Sequence, residues 1–229
     1  MSNFVYKVYF SKTNFLKIMS IQTPKLNHYE TIIFDLGGVI INLNYKKTEE
    51  EFKRLFGSDF SELYSKKSQT EIFNKLETGD ISEKQFVEAM QKSSSKNVSH
   101  QEIIRAWNAM LLDIPKERIE FLEKIGKEKR IFLLSNTNEI HKKAFDKIVL
   151  DSHKMEGLEP LFEKAYFSHL VGMRKPNREI FDFVIQENNL NPQKTLFIDD
   201  SPQHIEGALK TGLNSYHLEV STHSVLDLV

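Results

Sequence analysis

Apolar residues fall in short uninterrupted runs separated by longer amphipathic stretches. Four runs stand out, Thr31–Phe34, Arg130–Leu134, Lys164–Phe167 and Thr195–Ile198, with a weaker fifth at Asn214–Leu218. Each is bounded by turn-forming residues, the signature of a buried strand. Between the runs the apolar spacing changes to three and four. Ile119, Leu122 and Ile125 share one helical face behind Pro115. Ile180, Phe181, Val184 and Ile185 share another behind Pro176, and Ile205, Ala208 and Leu209 a third behind Ser201-Pro202. Proline opens helices well, because the first turn has no use for its missing N–H. Strands alternating with helices predict an α/β fold, a Rossmann-like parallel sheet with helices on both faces.

One interval breaks the alternation. Residues 44–113 carry amphipathic helical patterns and no convincing strand. Ser82-x-x-Gln85 and Ser99-x-x-Glu102 read as capping boxes, in which each side chain satisfies a backbone N–H of the other residue. Thr78-Gly79-Asp80 ends the helix that carries Ile72, Phe73 and Leu76. A βα crossover usually takes roughly a few tens of residues. The interval 44–113 therefore reads as an all-helical module inserted after the first strand, leaving 29–43 and 114–229 as the core. Residues 1–28 are set apart as an N-terminal extension. They hold lysines 7, 12, 17 and 25, no acid, and a β-prone aromatic run from Phe4 to Phe10, with Met19 as an alternative start.

Composition narrows the function. The 229 residues include 31 basic and 32 acidic side chains, a net charge of −1, so no basic excess exists to hold nucleic acid. No apolar run approaches the roughly 18 residues that suggest a membrane span. There is no cysteine, which removes disulfides, thiolate metal sites and a cysteine nucleophile together, and fits a reducing compartment. The expectation is a cytoplasmic protein acting on a small molecule, with neither nucleic acid nor membrane as partner.

Ligands of open parallel sheets bind beyond the carboxyl ends of the strands. After the first run comes Asp35-Leu36-Gly37-Gly38, and after the second Ser135-Asn136-Thr137-Asn138. The third leads to a loop with Gly172-Met173-Arg174-Lys175-Pro176, and the fourth to Asp199-Asp200-Ser201-Pro202. The predicted fold gathers three carboxylates, a serine, an asparagine and a lysine at one edge. Singly, most have ordinary explanations: Asp35 as a turn residue, Ser135 and Asn138 as helix caps, Lys175-Pro176 as a helix start. The adjacent pair Asp199-Asp200 differs, because two carboxylates repel and call for a cation.

Phe34-Asp35-Leu36-Gly37-Gly38-Val39, Leu134-Ser135-Asn136, Arg174-Lys175-Pro176 and Phe197-Ile198-Asp199-Asp200 resemble the four motifs of the haloacid dehalogenase superfamily. The resemblance covers residues 30–220, and the helical insert resembles that superfamily's α-helical cap. The first motif is most similar to the Asp-x-Gly subgroup, which includes sugar-phosphate phosphatases. The resemblance implies a Mg²⁺-dependent phosphatase of a small phosphate monoester, with Asp35 as the nucleophile that becomes an aspartyl phosphate. It assigns Lys175 to neutralising Asp35, and Ser135, Asn136 and Lys175 to the phosphoryl group. It assigns the metal to Asp35, the Gly37 carbonyl and Asp200, with Asp199 as ligand or orienter. The rival readings are a metal-independent 2-haloacid dehalogenase and a phosphosugar-binding protein with little turnover.

Gly37 is a departure. Phosphatases of the superfamily commonly place a second aspartate there, which protonates the leaving oxygen and later activates water. Without it, the rate is expected to depend on how well the leaving oxygen bears charge. A flat dependence would place a proton donor in the cap, between Asn44 and Trp107. Asn44, Tyr45 and Tyr64 are further residues within possible reach of substrate. Trp107 reads as cap core, and His204, one turn after Asp200, reads first as a solvent-facing helix residue and, as the alternative, as a neighbour of the metal site.

Overall fold

The structure is a computed structural model that describes residues 5–9, 17–21, 24–57, 66–94 and 96–228. Its sheet has seven strands: β1 (Val5–Tyr9), β2 (Lys17–Ile21), β3 (Thr31–Phe34), β4 (Arg130–Ser135), β5 (Lys164–Phe167), β6 (Thr195–Asp199) and β7 (Asn214–His217). Their order is β2-β1-β7-β6-β3-β4-β5. The five strands from β7 to β5 run parallel, and β1 and β2 add to β7 antiparallel. The N-terminal segment set apart by the sequence thus supplies two strands to the sheet. Val5 and Tyr6 pair with Tyr216 and Ser215, and Met19 lies opposite Lys7. The physical reason is available in the sequence: the run is β-prone, and β7 offers an edge of unpaired N–H and C=O groups.

The core strands are apolar throughout because both faces are covered. Successive residues point to opposite faces. Ile32 and Phe34, Ile131 and Leu133, and Leu196 and Ile198 pack on one side with helices α5 (Lys116–Glu128) and α6 (Glu139–His153). Ile33, Phe132, Leu134 and Phe197 pack on the other, with α8 (Arg178–Glu187) and α9 (Pro202–Leu209). The short α7 (Ser168–Val171) follows β5 directly.

Between β3 and α5 lie α1 (Tyr45–Phe56), α2 (Lys66–Glu77), α3 (Glu83–Lys92) and α4 (His100–Asn108). Both anticipated capping boxes form at Ser82 and Ser99. These helices bury a core of their own around Phe52, Phe56, Phe86 and Ile103, and Ile140 at the start of α6 joins it. Among the described residues, no helix is long and apolar enough to cross a membrane.

From β3 the chain builds outward through β4 to β5, then returns to the other side of β3 for β6 and β7. The topological switch point therefore falls between β3 and β6, where such sheets bind ligands. One close approach holds the elements around it. A Cβ at Gly207 of α9 would sit 2.3 Å from the Pro176 carbonyl oxygen. Alanine gains about 1 kcal/mol over glycine in a helix, whereas overpacking against backbone costs about 1–3 kcal/mol. Gly207→Ala is therefore expected to lower the thermal unfolding midpoint despite its better helix propensity, and a midpoint at or above that of the parent would contradict this packing.

Candidate active site

Parallel register brings the site together. Phe34 pairs with Ile198 and with Leu133, so the residues that follow each strand emerge side by side. Asp35 leaves β3 with its N–H donating to the Ile198 carbonyl at 2.9 Å. Ser135 and Asp199 are the last residues of β4 and β6, each strand running one residue beyond its apolar stretch. The carboxylate oxygens of Asp35, Asp199 and Asp200 lie within 4.8 Å of one another.

Lys175 sits at the centre, with no solvent exposure. Its Nζ donates to Asp35 Oδ1 at 2.6 Å, Asp199 Oδ2 at 2.7 Å and the Leu134 carbonyl at 2.7 Å. Burial disfavours its charge, but Asp199 and Asp35 outweigh burial, and the ammonium is held above its ordinary pKa. Asn136 fixes the Lys175 backbone from both sides: its Nδ2 donates to the Lys175 carbonyl at 2.8 Å, and its Oδ1 accepts from the Lys175 N–H at 2.9 Å. The sequence placed Asn136 at the phosphoryl group; its side chain is instead committed to positioning the lysine. Ser135 is buried and faces the cavity described below.

The three carboxylates are not equivalent. Burial pushes Asp199 up, yet Lys175 and His204 more than offset it and hold its carboxyl below the ordinary range. Its oxygens also accept from the Ser201 N–H at 2.8 Å and face His204 Nδ1 at 3.0 Å. Asp199 is thus occupied as an orienter of Lys175. His204, expected to face solvent, turns back onto Asp199 because α9 starts immediately after the motif. Asp35 is pushed up to about 6, chiefly by burial, which outweighs Lys175. Asp200 rises to about 7, from burial and then the charges of Asp35 and Asp199. Its side chain has no ion pair among the described residues.

A divalent cation fits this donor set. Asp35 and Asp200 are carboxylates whose charge is undercompensated. The Gly37 carbonyl accepts no hydrogen bond among the described residues. Gly38 has a positive φ of 73°, and a Cβ there would sit 2.5 Å from Asp200 Oδ2, so glycine lets the turn close on that carboxylate. All three donors are hard oxygens, as Mg²⁺ requires.

A cavity of about 260 Å³ opens beside this cluster. Leu36, Gly37, Ser135 and Asn136 bound it on the sheet side, and Tyr45, Phe73, Glu77 and Trp107 on the helical side. Trp107 is therefore a cavity wall as well as a packing residue. It stacks on His141 at 4.7 Å and on Phe73 at 4.8 Å, and its Nε1–H has no partner among the described residues. Asn44 spends its side chain capping α1, accepting from the Lys46 N–H at 3.1 Å. Tyr64 lies outside the described residues. Glu77, not singled out by the sequence, pairs through Oε2 with Arg174 Nη2 at 2.8 Å. The available signal was a carboxylate on the last residue of a helix, the end that disfavours negative charge.

A nucleophile-sized carboxylate pinned by a buried lysine, beside carboxylates that call for a cation at a switch point, defines a hydrolase of the α/β type. The family model of haloacid dehalogenase-like hydrolases matches residues 29–212, and the chain belongs to that family. It is similar to the D-ribitol-5-phosphate phosphatase of Bacteroides thetaiotaomicron, 29% identical over 192 residues, 83% of this chain and 92% of that one. It is also similar to the phosphorylated carbohydrates phosphatase of Thermotoga maritima, 26% identical over 210 residues, 86% of this chain and 88% of that one. A solved structure of the HAD family enzyme bt-2542 from Bacteroides thetaiotaomicron, in complex with magnesium and inorganic phosphate, shares its fold. That match has a TM-score of 0.78 at 32% identity, over 88% of this chain and 100% of that chain.

Two expected outcomes follow from the geometry. Removing one partner of a buried ion pair costs about 3–5 kcal/mol, reduced here because Asp35 can take a proton. Lys175→Met should therefore lose about 3 kcal/mol in denaturant unfolding. The second concerns His141, whose Nε2–H donates to the Trp107 carbonyl at 3.1 Å while Nδ1 faces Asn138 Nδ2. Burial lowers its pKa from 6.5 to about 4. The unfolded chain therefore takes up its proton first as pH falls, so this contribution is complete above pH 6.5 and lost on the way down to about 4. The loss amounts to about 3 kcal/mol. Urea unfolding of His141→Gln should show a correspondingly shallower decline over that window, and an unchanged decline would count against it.

Proposed function

We propose that this hydrolase is a Mg²⁺-dependent phosphatase of a small sugar or polyol phosphate, acting through an aspartyl phosphate on Asp35. The observation that carries the reading is the pairing of a buried, lysine-held Asp35 with an Asp200 that lacks a counterion. A phosphate dianion approaching these carboxylates is repelled until a cation intervenes. Mg²⁺, when bound by Asp35, the Gly37 carbonyl and Asp200, supplies that charge and polarises the phosphoryl oxygens.

The chain's own residues do the rest. Lys175 keeps Asp35 ionised and aimed, since its other bonds to Leu134 and Asp199 fix its position. A carboxylate attacks phosphorus without prior deprotonation. The Ser135 hydroxyl and the backbone N–H groups at this strand end hold the phosphoryl oxygens as their charge is redistributed. The leaving group occupies the cavity against Phe73 and Trp107. At about 260 Å³ that space lies below the ~300–1,000 Å³ of drug-sized sites, which selects a small organic group. The apolar faces of a sugar or polyol suit its aromatic wall, and the Trp107 Nε1–H offers a hydroxyl a donor. The names of the relatives from Bacteroides and Thermotoga support the same substrate class. The domain division follows: residues 29–43 and 114–229 as the catalytic core, 44–113 as the cap. The lack of cysteine favours a cytoplasmic setting.

A metal-independent dehalogenase has no use for the uncompensated Asp200. The experiment is to incubate the protein with Mg²⁺ and a reactive phosphate ester, and to look for acid-stable, hydroxylamine-sensitive phosphate on Asp35. Asp35→Asn should form none. Asp200→Asn should need about tenfold or more Mg²⁺ for half-maximal rate, one charged ligand being lost to a hard cation. Full turnover in excess EDTA would overturn the reading.

A further inference from the structure

The reaction proposed above needs a proton at the leaving oxygen, and we propose that Glu77 of the cap delivers it and later takes one from water. This rests on the phosphatase reading. Displacement at phosphorus places the attacking and leaving oxygens roughly in line. With Asp35 on the sheet side, the leaving oxygen faces the cap.

Position 37 supplies no acid, and its surroundings show why none reaches in from there. A Cβ at Gly37 would sit 2.7 Å from Leu43 Cδ1, so a leucine methyl fills that space. The titratable groups lining the cavity are Tyr45, Glu77 and His141. Both ring nitrogens of His141 are engaged, and it is neutral near pH 7. Tyr45 is 64% exposed as a residue, and its phenol, with an ordinary pKa of about 10, is raised further by burial of the hydroxyl end and then by the charges of Asp200, Asp35 and Glu77. It is too weak an acid to trade protons at neutral pH. Glu77 remains.

Its surroundings suit a carboxyl that alternates between two states. It ends α2, where the helix carbonyls oppose a negative charge. Burial raises its pKa, and the charge of Arg174, its ion-pair partner, acts against that most strongly. The net direction is upward, toward the protonated form that a proton donor needs. Arg174, itself bonded to Asn74, holds Oε2 and stabilises the carboxylate once the proton has gone. The step balances. Asp35 bonds to phosphorus, the ester P–O bond breaks, and its electron pair stays on the leaving oxygen, which takes the Glu77 proton. Water then bonds to the phospho-Asp35 phosphorus and gives a proton to Glu77, while the P–O bond to Asp35 breaks and frees that carboxylate.

The test is Glu77→Gln, which keeps a polar partner for Arg174. With Mg²⁺ and enzyme in excess, the first step, phosphoryl transfer to Asp35, should slow about 10²–10³-fold for polyol and alkyl phosphates, and by less than about tenfold for an aryl phosphate with a low-pKa leaving group. The same variant should show a burst of phenol release, with phospho-Asp35 accumulating because the second half is slowed as well. Difference infrared of the metal-free protein, parent minus Glu77→Gln, should show a protonated-carboxyl band that persists to higher pH than that of an ordinary glutamate. Adding Gly37→Asp and Leu43→Ala to Glu77→Gln should restore part of the alkyl turnover. Equal slowing of that first step for aryl and alkyl esters, or absence of the burst, would assign Glu77 to holding the cap and overturn the proposal. If the parent protein turned over neither ester class and formed no phospho-Asp35, the phosphatase reading would fall, and this inference with it.

Discussion

The ammonium of Lys175 is wholly removed from water and spends its three hydrogens on Asp35, Asp199 and the Leu134 carbonyl. Burying an ammonium is costly unless partners are placed to compensate it. Three strand ends meet that demand, and they can do so only if β6, β3 and β4 are adjacent and in register. The loop that carries the lysine must also arrive at the right height. Asn136 fixes it through two backbone hydrogen bonds, and the approach of Gly207 to Pro176 leaves the next residue little room to move. His204 and the Ser201 N–H hold Asp199 so that it can face the lysine. The sheet, two loops and the first turn of α9 are thus all referred to one nitrogen.

That arrangement divides the work between the two parts of the chain. The sheet edge holds charge: one cation, three carboxylates, and the oxygens that a dication would join. The helices contribute shape, with Phe73 and Trp107 walling a small volume. Arg174 connects the two, since it precedes Lys175 in the chain and reaches Asn74 and Glu77 on α2. A displacement of the helices therefore acts on the residue next to the buried lysine. The cavity wall and the carboxylate held by Lys175 thus share a mechanical link of one peptide unit.

Much of this was legible in the chain because parallel strands buried on both faces leave plain apolar runs. The residue after each run is then a candidate for the catalytic edge. Asp35, Ser135, Asp199 and Asp200 were singled out that way, and Lys175 from the loop that follows the third run; the structure brings the three carboxylates and the lysine together. What escaped depends on partners distant in sequence. The resemblance assigned Asn136 to the phosphoryl group, whereas its side chain is bonded to the backbone of Lys175. His204 has a solvent-facing helical position until the tight turn at Ser201 aims it at Asp199. Glu77 was hidden in a helix end read only for its breaker, Thr78-Gly79-Asp80. The strands at Val5–Tyr9 and Lys17–Ile21 were passed over because a lysine-rich start resembles an appendage. A strand that completes an edge needs no apolar run of its own.

Trp107 is the one tryptophan in the chain. Its indole stacks at 4.7 Å on a neutral imidazole carried by α6, while its own backbone belongs to α4. The ring therefore bridges the helical insert and the core and borders the cavity. Its emission belongs to a single environment, with no second indole to dilute it. A ligand that excludes water from the wall shifts the colour of that emission. Separation of the helices from α6 removes the stacked partner and alters its intensity. Protonation of His141 turns that partner into a quencher. The protein thus carries a built-in optical gauge of cavity occupancy and closure.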